Sequence, residues 1–253
     1  MTAPIGVQLY SLRNELTQDF EGIIRRVAAM GYIGVEPYGG MTDKPQQAAQ
    51  LFRELGLSVP AIHAAMATPE NKNQLLDTLG AYGATIMNVP WLSPDNFKTL
   101  DGVKAVCEQL NQANALLKPH GITVGYHNHE FEPTNVFEGK NALDWMFELT
   151  DPAVTFEIDT YWVKAGNADP ADVVRRFGAR SPLLHIKDGE GRRGVPMVAV
   201  GEGTLDFAAI VQASAGNVKW MIVELDECAT DMVEAIQKSY TYLTGKGLAH
   251  GKG

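Results

Sequence analysis

Ile122-Thr123-Val124-Gly125-Tyr126-His127-Asn128-His129-Glu130-Phe131-Glu132 decides how the rest of the chain is read, because an apolar run stops abruptly in two histidines, an amide and two carboxylates. Burying ionisable side chains without partners is costly, so a strand that ends this way opens either to solvent or onto a shared ligand such as a metal. Three later runs end in the same manner with single residues. Asp159 closes Val154-Thr155-Phe156-Glu157-Ile158, His185 closes Leu183-Leu184, and Glu224 follows Met221-Ile222-Val223.

Working outward from that stretch, one phrase recurs along the chain: short apolar strand, polar loop, amphipathic helix, glycine. Ile5 to Tyr10 is the first strand, and Phe20, Ile23, Ile24, Val27 and Met30 mark its helix up to Gly31. Ile33 to Glu36 precedes a helix over Pro45 to Leu55. Leu57 to His63 precedes the helix of Leu75, Leu76 and Leu79, and Ile86 to Pro90 precedes a long helix over Asp95 to Leu117. After the fifth strand come Leu143 to Leu149 as helix, Val154 to Ile158 as strand and Val173 to Phe177 as helix. Leu183 to Ile186, a helix near Phe207 to Val211, Val218 to Leu225 and Met232 to Leu243 complete the series. Eight strands alternating with eight helices predict an α/β fold, a single (β/α)8 TIM barrel with its parallel sheet covered by helices. A doubly wound open sheet is the competing topology, but Tyr10-Ser11-Leu12-Arg13 stands where a glycine-rich dinucleotide fingerprint would follow the first strand. The barrel takes residues 1–244, and residues 245–253 have too little apolar content to pack and read as a flexible tail.

A chain of 253 residues, 45% of them hydrophobic, suits one such barrel. The net charge of −9 sets a repulsive background for phosphate backbones, and no Lys/Arg run exceeds a pair, so nucleic acid is not an expected partner. Cys107 and Cys228 have no Cys-x-x-Cys spacing, and the first residues lack the basic and apolar regions of a signal peptide. These features point to a reducing, cytoplasmic setting. No apolar stretch approaches the roughly 20 residues of a membrane span, so no membrane partner is expected. Homo-oligomerisation stays open.

In a barrel of this kind the C-terminal strand ends share one mouth, where active sites are found. The polar residues gather there: Gln8 and Tyr10, Glu36, His63, Asn88 and Trp91, His127 to Glu132, Asp159, His185 and Lys187, and Glu224 with Asp226. Asp159, His185 and Glu224 are oxygen and nitrogen donors without thiolate, which suits Mn²⁺, Mg²⁺, Zn²⁺ or Co²⁺ and argues against a closed structural zinc site. Each taken alone is equally well explained as a helix cap or a satisfied buried histidine; three at successive strand ends are not.

Gly125 to Glu132, Glu157-Ile158-Asp159-Thr160-Tyr161-Trp162, Leu184-His185-Ile186-Lys187-Asp188, Gly201-Glu202-Gly203 and Val223 to Glu227 resemble the sugar phosphate isomerase/epimerase group of the xylose isomerase-like barrel superfamily. The likeness covers nearly the whole chain from Gly6 to Arg13 onward. It implies a divalent metal, Mn²⁺ first among the four, held by an acid after strand five, Asp after six, His after seven and Glu after eight. Asp159, His185 and Glu224 match that pattern. The fifth strand departs from it, since Tyr126-His127 stands where epimerases carry a Glu. Glu132 is then the expected fourth ligand or an outer base, with His127 the competing ligand.

The expected chemistry is isomerisation or epimerisation of a sugar, keto sugar or sugar phosphate through an enediolate. Glu224 and Glu132 are the expected bases, His129 or His63 the partner acid, and Lys187 an oxyanion stabiliser or a partner of Asp188. Gln8, Tyr10, Glu36, Trp91, His127 and Trp162 are expected to contact substrate. Similar relatives, the inosose dehydratases and the deglycosidases of 3-keto sugars, keep elimination open. An endonuclease IV-like phosphodiesterase and a non-catalytic sugar-binding barrel are the rivals from other classes.

Overall fold

Each apolar run pairs in parallel with its neighbours around a ring. The computed structural model describes residues 2–252. Its barrel strands are β1 (Ala3–Gln8), β2 (Gly34–Glu36), β3 (Ile62–His63), β4 (Ile86–Val89), β5 (Thr123–His127), β6 (Thr155–Asp159), β7 (Leu183–Ile186) and β8 (Trp220–Val223). They run in the order β2-β1-β8-β7-β6-β5-β4-β3, all parallel. Between β3 and β2 the ring is closed by isolated bridges, Gly34 to Ser58 and Tyr38 to His63. Ser58 N donates to Ile33 O and His63 N to Pro37 O, both at 2.9 Å. The third strand is shorter than the expected Leu57 to His63, because Pro60 lies within that run and has no N–H to give to a ladder.

The covering helices are α1 (Phe20–Met30), α2 (Pro45–Glu54), α3 (Lys72–Tyr82), α4 (Leu100–Leu117), α5 (Ala142–Leu149), α6 (Pro170–Phe177), α7 (Phe207–Ser214) and α8 (Met232–Gly245). The long helix expected from Asp95 is divided: a 3-10 turn over Pro94–Phe97 comes first, and Thr99 starts α4 anew by accepting a hydrogen bond from Gly102 N.

Side-chain alternation along each strand sorts the residues into two cores. Ile5, Val7, Val35, Met87, Val124, Tyr126, Phe156, Ile158, Leu184, Ile186, Met221 and Val223 point outward into one continuous apolar cluster that the helices cover. Ala61, Leu183 and Ile222, with Ile86 and Trp220, form a separate small cluster inside the ring. Gly34 makes room for that floor, since a Cβ there would lie 2.4 Å from the Trp220 ring. Two residues further along the same strands the interior turns polar.

The tail is a correction. Ala249–His250 adds a parallel strand beside Ala3–Pro4, with Ala249 buried. Lys252 N donates to Gly31 O at 2.8 Å, and Tyr240 Oη donates to Lys252 O. Backbone pairing, which asks nothing of apolar content, holds the segment. Gly253 lies outside the described residues.

Candidate functional site

The same alternation builds the mouth. Gln8, Glu36, His63, Asn88, His127, Glu157, Asp159, His185, Lys187 and Glu224 are all buried. Gly125 gives the Asn88 side chain its place, because a Cβ there would lie 2.0 Å from Asn88 Oδ1. Asn128 then joins β5 to β6: its Oδ1 accepts from Asp159 N at 2.9 Å and its Nδ2 donates to Asp159 O at 3.3 Å.

His185 is gripped on both sides. Nδ1 donates to Glu224 Oε2 and Nε2 to Glu36 Oε2, each at 2.8 Å, and Glu157 Oε2 is 3.2 Å from Nε2. Burial alone would lower its pKa, but Glu157 and Glu224 outweigh burial and hold it well above the ordinary imidazole value. His127 has the opposite fate: burial and the neighbouring His185 charge push it down to about 3, so it is neutral. His63 Nε2 lies 2.6 Å from Glu157 Oε2. Burial opposes its charge, but Glu36 and Glu157 raise it. Of these two carboxylates, Glu36 is the one pushed up, by burial and by the Glu157 charge.

Lys187 is wholly buried, and its ammonium lies 3.0 Å from Asp159 Oδ2, 2.6 Å from Glu224 Oε2 and 2.7 Å from Asp226 Oδ2. Burial works against that charge, and the carboxylates overcome it. Lys187 does not pair with Asp188. Asp188 instead accepts from the backbone N–H groups of Gly189, Gly201, Gly203, Thr204 and Leu205, which fixes the loop carrying Gly201-Glu202-Gly203.

Asp159 does two jobs. Its Oδ1 caps the following helix by accepting from Trp162 N at 2.9 Å, and its Oδ2 faces the Lys187 ammonium at 3.0 Å. Burial pushes this carboxyl up to about 6, against the pull of Lys187 and His185. Ligand atoms of His127, Asp159, His185 and Glu224 all lie within 4.8 Å of one another, and so do those of His63, His127, Glu157 and His185.

Glu132 stands outside both groups. Its oxygens accept from Tyr126 Oη and from His129 N. Tyr126 neighbours His127 on β5 and so points outward, toward Phe97 and Phe131, and it takes Glu132 with it. Burial pushes Glu132 up to about 8, an effect that the Tyr126 hydroxyl and the backbone donors only partly offset. The expected trio of Asp159, His185 and Glu224 is thus brought together with His127 as its fourth member.

Above the cluster is a cavity of about 600 Å³ lined by Tyr10, Tyr38, His63, Trp91, His127, His129, Glu224 and Asp226. Tyr10 and Trp91 are exposed at its rim, whereas Gln8 and Glu36 lie below it, held to each other by a 2.8 Å hydrogen bond. Trp162 lines a neighbouring cavity with Arg193. Glu157 escaped the sequence reading because it sits inside an apolar run. Its signal was an acid two residues before Asp159, which strand alternation puts on the same face.

The family described as Xylose isomerase-like TIM barrel matches residues 24–242. The chain belongs to this family. Among solved structures of such barrels, a sugar phosphate isomerase/epimerase from Parabacteroides distasonis is 26% identical, with a TM-score of 0.83 over 99% of this chain and 96% of that one. An L-ribulose 3-epimerase is 18% identical with a TM-score of 0.70, covering 97% of this chain and 94% of its own. A probable 3-DHS dehydratase from Bacillus anthracis is 13% identical with a TM-score of 0.75, covering 95% and 98%. The last two show likeness of fold. No curated protein matches the chain.

The residues of this xylose isomerase-like barrel fit a divalent cation. The donor set is two imidazoles and two carboxylates without thiolate, with His127 Nε2 turned to Asp159 Oδ2 at 3.6 Å. Buried carboxylates demand a nearby positive charge, and here Lys187 and His185 carry it.

Proposed function

We propose that this protein is a divalent-metal-dependent isomerase or epimerase of a sugar or keto sugar, working at the C-terminal mouth of its barrel. The observation that carries this reading is the group His127, Asp159, His185 and Glu224, set within 4.8 Å beneath the cavity that Tyr10 and Trp91 border. The likeness to the Parabacteroides distasonis protein supports the same class. These four residues would hold the metal, with Mn²⁺ the first candidate. A bound divalent cation supplies Lewis-acid polarisation of a carbonyl and its neighbouring hydroxyl, which acidifies the carbon between them.

The chain's own residues do the rest. His127 is neutral and ready to ligate, whereas His185 has to release a ring proton first. Glu224 lines the cavity, and although burial opposes its ionisation, Lys187 and His185 hold it well below the usual carboxylate range. It is therefore charged and placed to take the substrate proton. His129 lines the same cavity, and burial keeps it neutral and holds it well below the ordinary imidazole value, so it serves there as a neutral hydrogen-bonding group. Lys187 remains a charge partner of Asp159, Glu224 and Asp226 that balances the cluster as protons move. Glu132 has no such access; its place is behind β5, where it holds His129 N.

Incubation in D₂O with Mn²⁺ and a panel of ketoses, inososes and 3-keto glycosides tests this. Deuterium entering the carbon next to the carbonyl, with no loss of water and no glycosidic cleavage, is the expected result. Water loss from the same substrates would replace isomerisation by elimination, and binding without deuterium would leave a sugar-binding barrel.

A further inference from the structure

A second cavity of about 350 Å³ adjoins the one over the metal-ligand cluster, and the two share Tyr10, Trp91, His129 and Asp226 in their walls. Each is by itself within the range of about 300–1,000 Å³ in which small-molecule sites fall, so a single hexose does not fill both. We propose that the outer cavity is a subsite for a neutral second ring, so that the substrate is a two-part molecule: a sugar over the cluster, joined at a position away from its reacting carbons to another sugar or an aryl group.

The walls of this outer cavity carry the argument, which rests on the carbohydrate reading above. Trp91, 54% exposed, gives it an open aromatic face, and a pyranose presents apolar C–H faces to such a ring while its hydroxyls seek hydrogen bonds at the edge; the Tyr10 and Trp162 rings complete the wall beneath their arginines. Two residues of this wall carry a polar atom that the protein leaves unpaired. Trp162 is 7% exposed, yet its Nε1–H has no partner, and His129 Nδ1 is likewise unpartnered. A buried donor left unmatched is costly, which makes it a recognition group for something that accepts.

Two arginines also line this cavity, but both are engaged. Arg193 holds both oxygens of Glu130 and stacks over Trp162 at 5.3 Å. Arg13 donates to the carbonyl oxygens of Tyr10 and Asp226 at 2.9 and 2.8 Å and stacks over Tyr10 at 4.4 Å. Asp226 and Glu227 add negative charge to the same walls. A phosphate would have to break the Arg193 pair and face two carboxylates, whereas a neutral ring meets neither obstacle.

Equilibrium titration, followed by tryptophan fluorescence in the presence of Mn²⁺, tests the subsite directly. The probes are glucose, galactose and fructose, the 4- and 6-linked disaccharides and the 6-O-benzyl ethers of the two aldoses, and the hexose 6-phosphates. For a hexose that binds, its two-ring derivative is expected to bind at least tenfold more tightly, and its 6-phosphate no more tightly than the free sugar. Trp91→Ala, at a residue 54% exposed and so outside the packed core, should bring the two-ring and one-ring affinities within about twofold. Trp162→Phe, which keeps the ring and removes the N–H, should lose part of the same advantage. Free hexoses that bind as well as their two-ring derivatives, or 6-phosphates that bind best, would overturn the subsite alone. Binding by none of these sugars would overturn the carbohydrate reading and the subsite with it.

Discussion

Two layers of one barrel interior, a few ångströms apart on the same strands, are built on opposite principles. The floor is Ala61, Leu183 and Ile222 with Ile86 and Trp220, an apolar plug with no ionisable member. The layer above it is Glu36, His63, His127, Glu157, Asp159, His185, Lys187 and Glu224, all buried. Strand alternation delivers both, since Ala61 is followed by His63, Leu183 by His185 and Lys187, and Ile222 by Glu224. The floor stabilises without selecting a ligand. The upper layer packs charges that hydrophobic residues of similar volume would replace at no cost to stability, so its composition answers to chemistry.

Substitutions at the two layers should therefore separate function from stability. The largest effect belongs to the upper layer: His185→Gln and Asp159→Asn should each lower turnover more than about 100-fold, beyond the 10–100-fold typical of outer-shell partners of a metal. Removing one partner of this buried charged group also costs about 3–5 kcal/mol of stability, so turnover is read on folded protein, and wild-type turnover in folded variants would make the cluster structural. Ile222→Ala is the converse. It should cost about 2–5 kcal/mol of stability in denaturant titration, with Mn²⁺ affinity within twofold of wild type.

Glu132 sharpens the comparison, being a buried carboxyl that serves neither layer. Its pKa is raised to about 8 from the ordinary 4.5, so on raising the pH the unfolded chain gives up this proton before the folded one does. Stability falls as pH rises from about 5 to 8 and levels off above that. Glu132→Gln, which stays neutral, should raise the melting temperature at pH 8.5 by on the order of 5 °C and change it little at pH 5. An equal shift at both pH values would mean that ionisation of Glu132 is not what matters. A smaller effect is expected at the opposite end of the barrel. Stopping the chain after Gly247 removes the strand paired with Ala3–Pro4, and should lower the melting temperature by a few degrees while leaving Mn²⁺ affinity unchanged.

Much of this was legible in the sequence because barrel strands write their ends in polar residues. Asp159, His185 and Glu224 each follow an apolar run, and the recurring strand–helix phrase carries the topology. What was not legible depends on which face of a strand a residue occupies and on what lies across the ring. Glu132 looked able to reach the mouth, yet Tyr126 draws it behind β5. Glu157 was masked by the apolar residues beside it. Lys187 stood next to Asp188 in the chain, but alternation sends the two in different directions, one to the cluster and one to the loop over 189–205. The order of the C-terminal segment is not legible because it comes from backbone pairing, which leaves no hydrophobic signature.

Mn²⁺ titration of the wild type, His127→Gln, Glu224→Gln and Glu132→Gln, with bound metal counted by elemental analysis, tests the central claim most directly. The wild type and Glu132→Gln should each bind about one ion per chain, as a single four-ligand site requires, while His127→Gln and Glu224→Gln should lose at least tenfold in affinity. Loss of metal in Glu132→Gln with full retention in His127→Gln would contradict the assignment of His127 as the fourth ligand, and no binding by the wild type would contradict the metal centre itself.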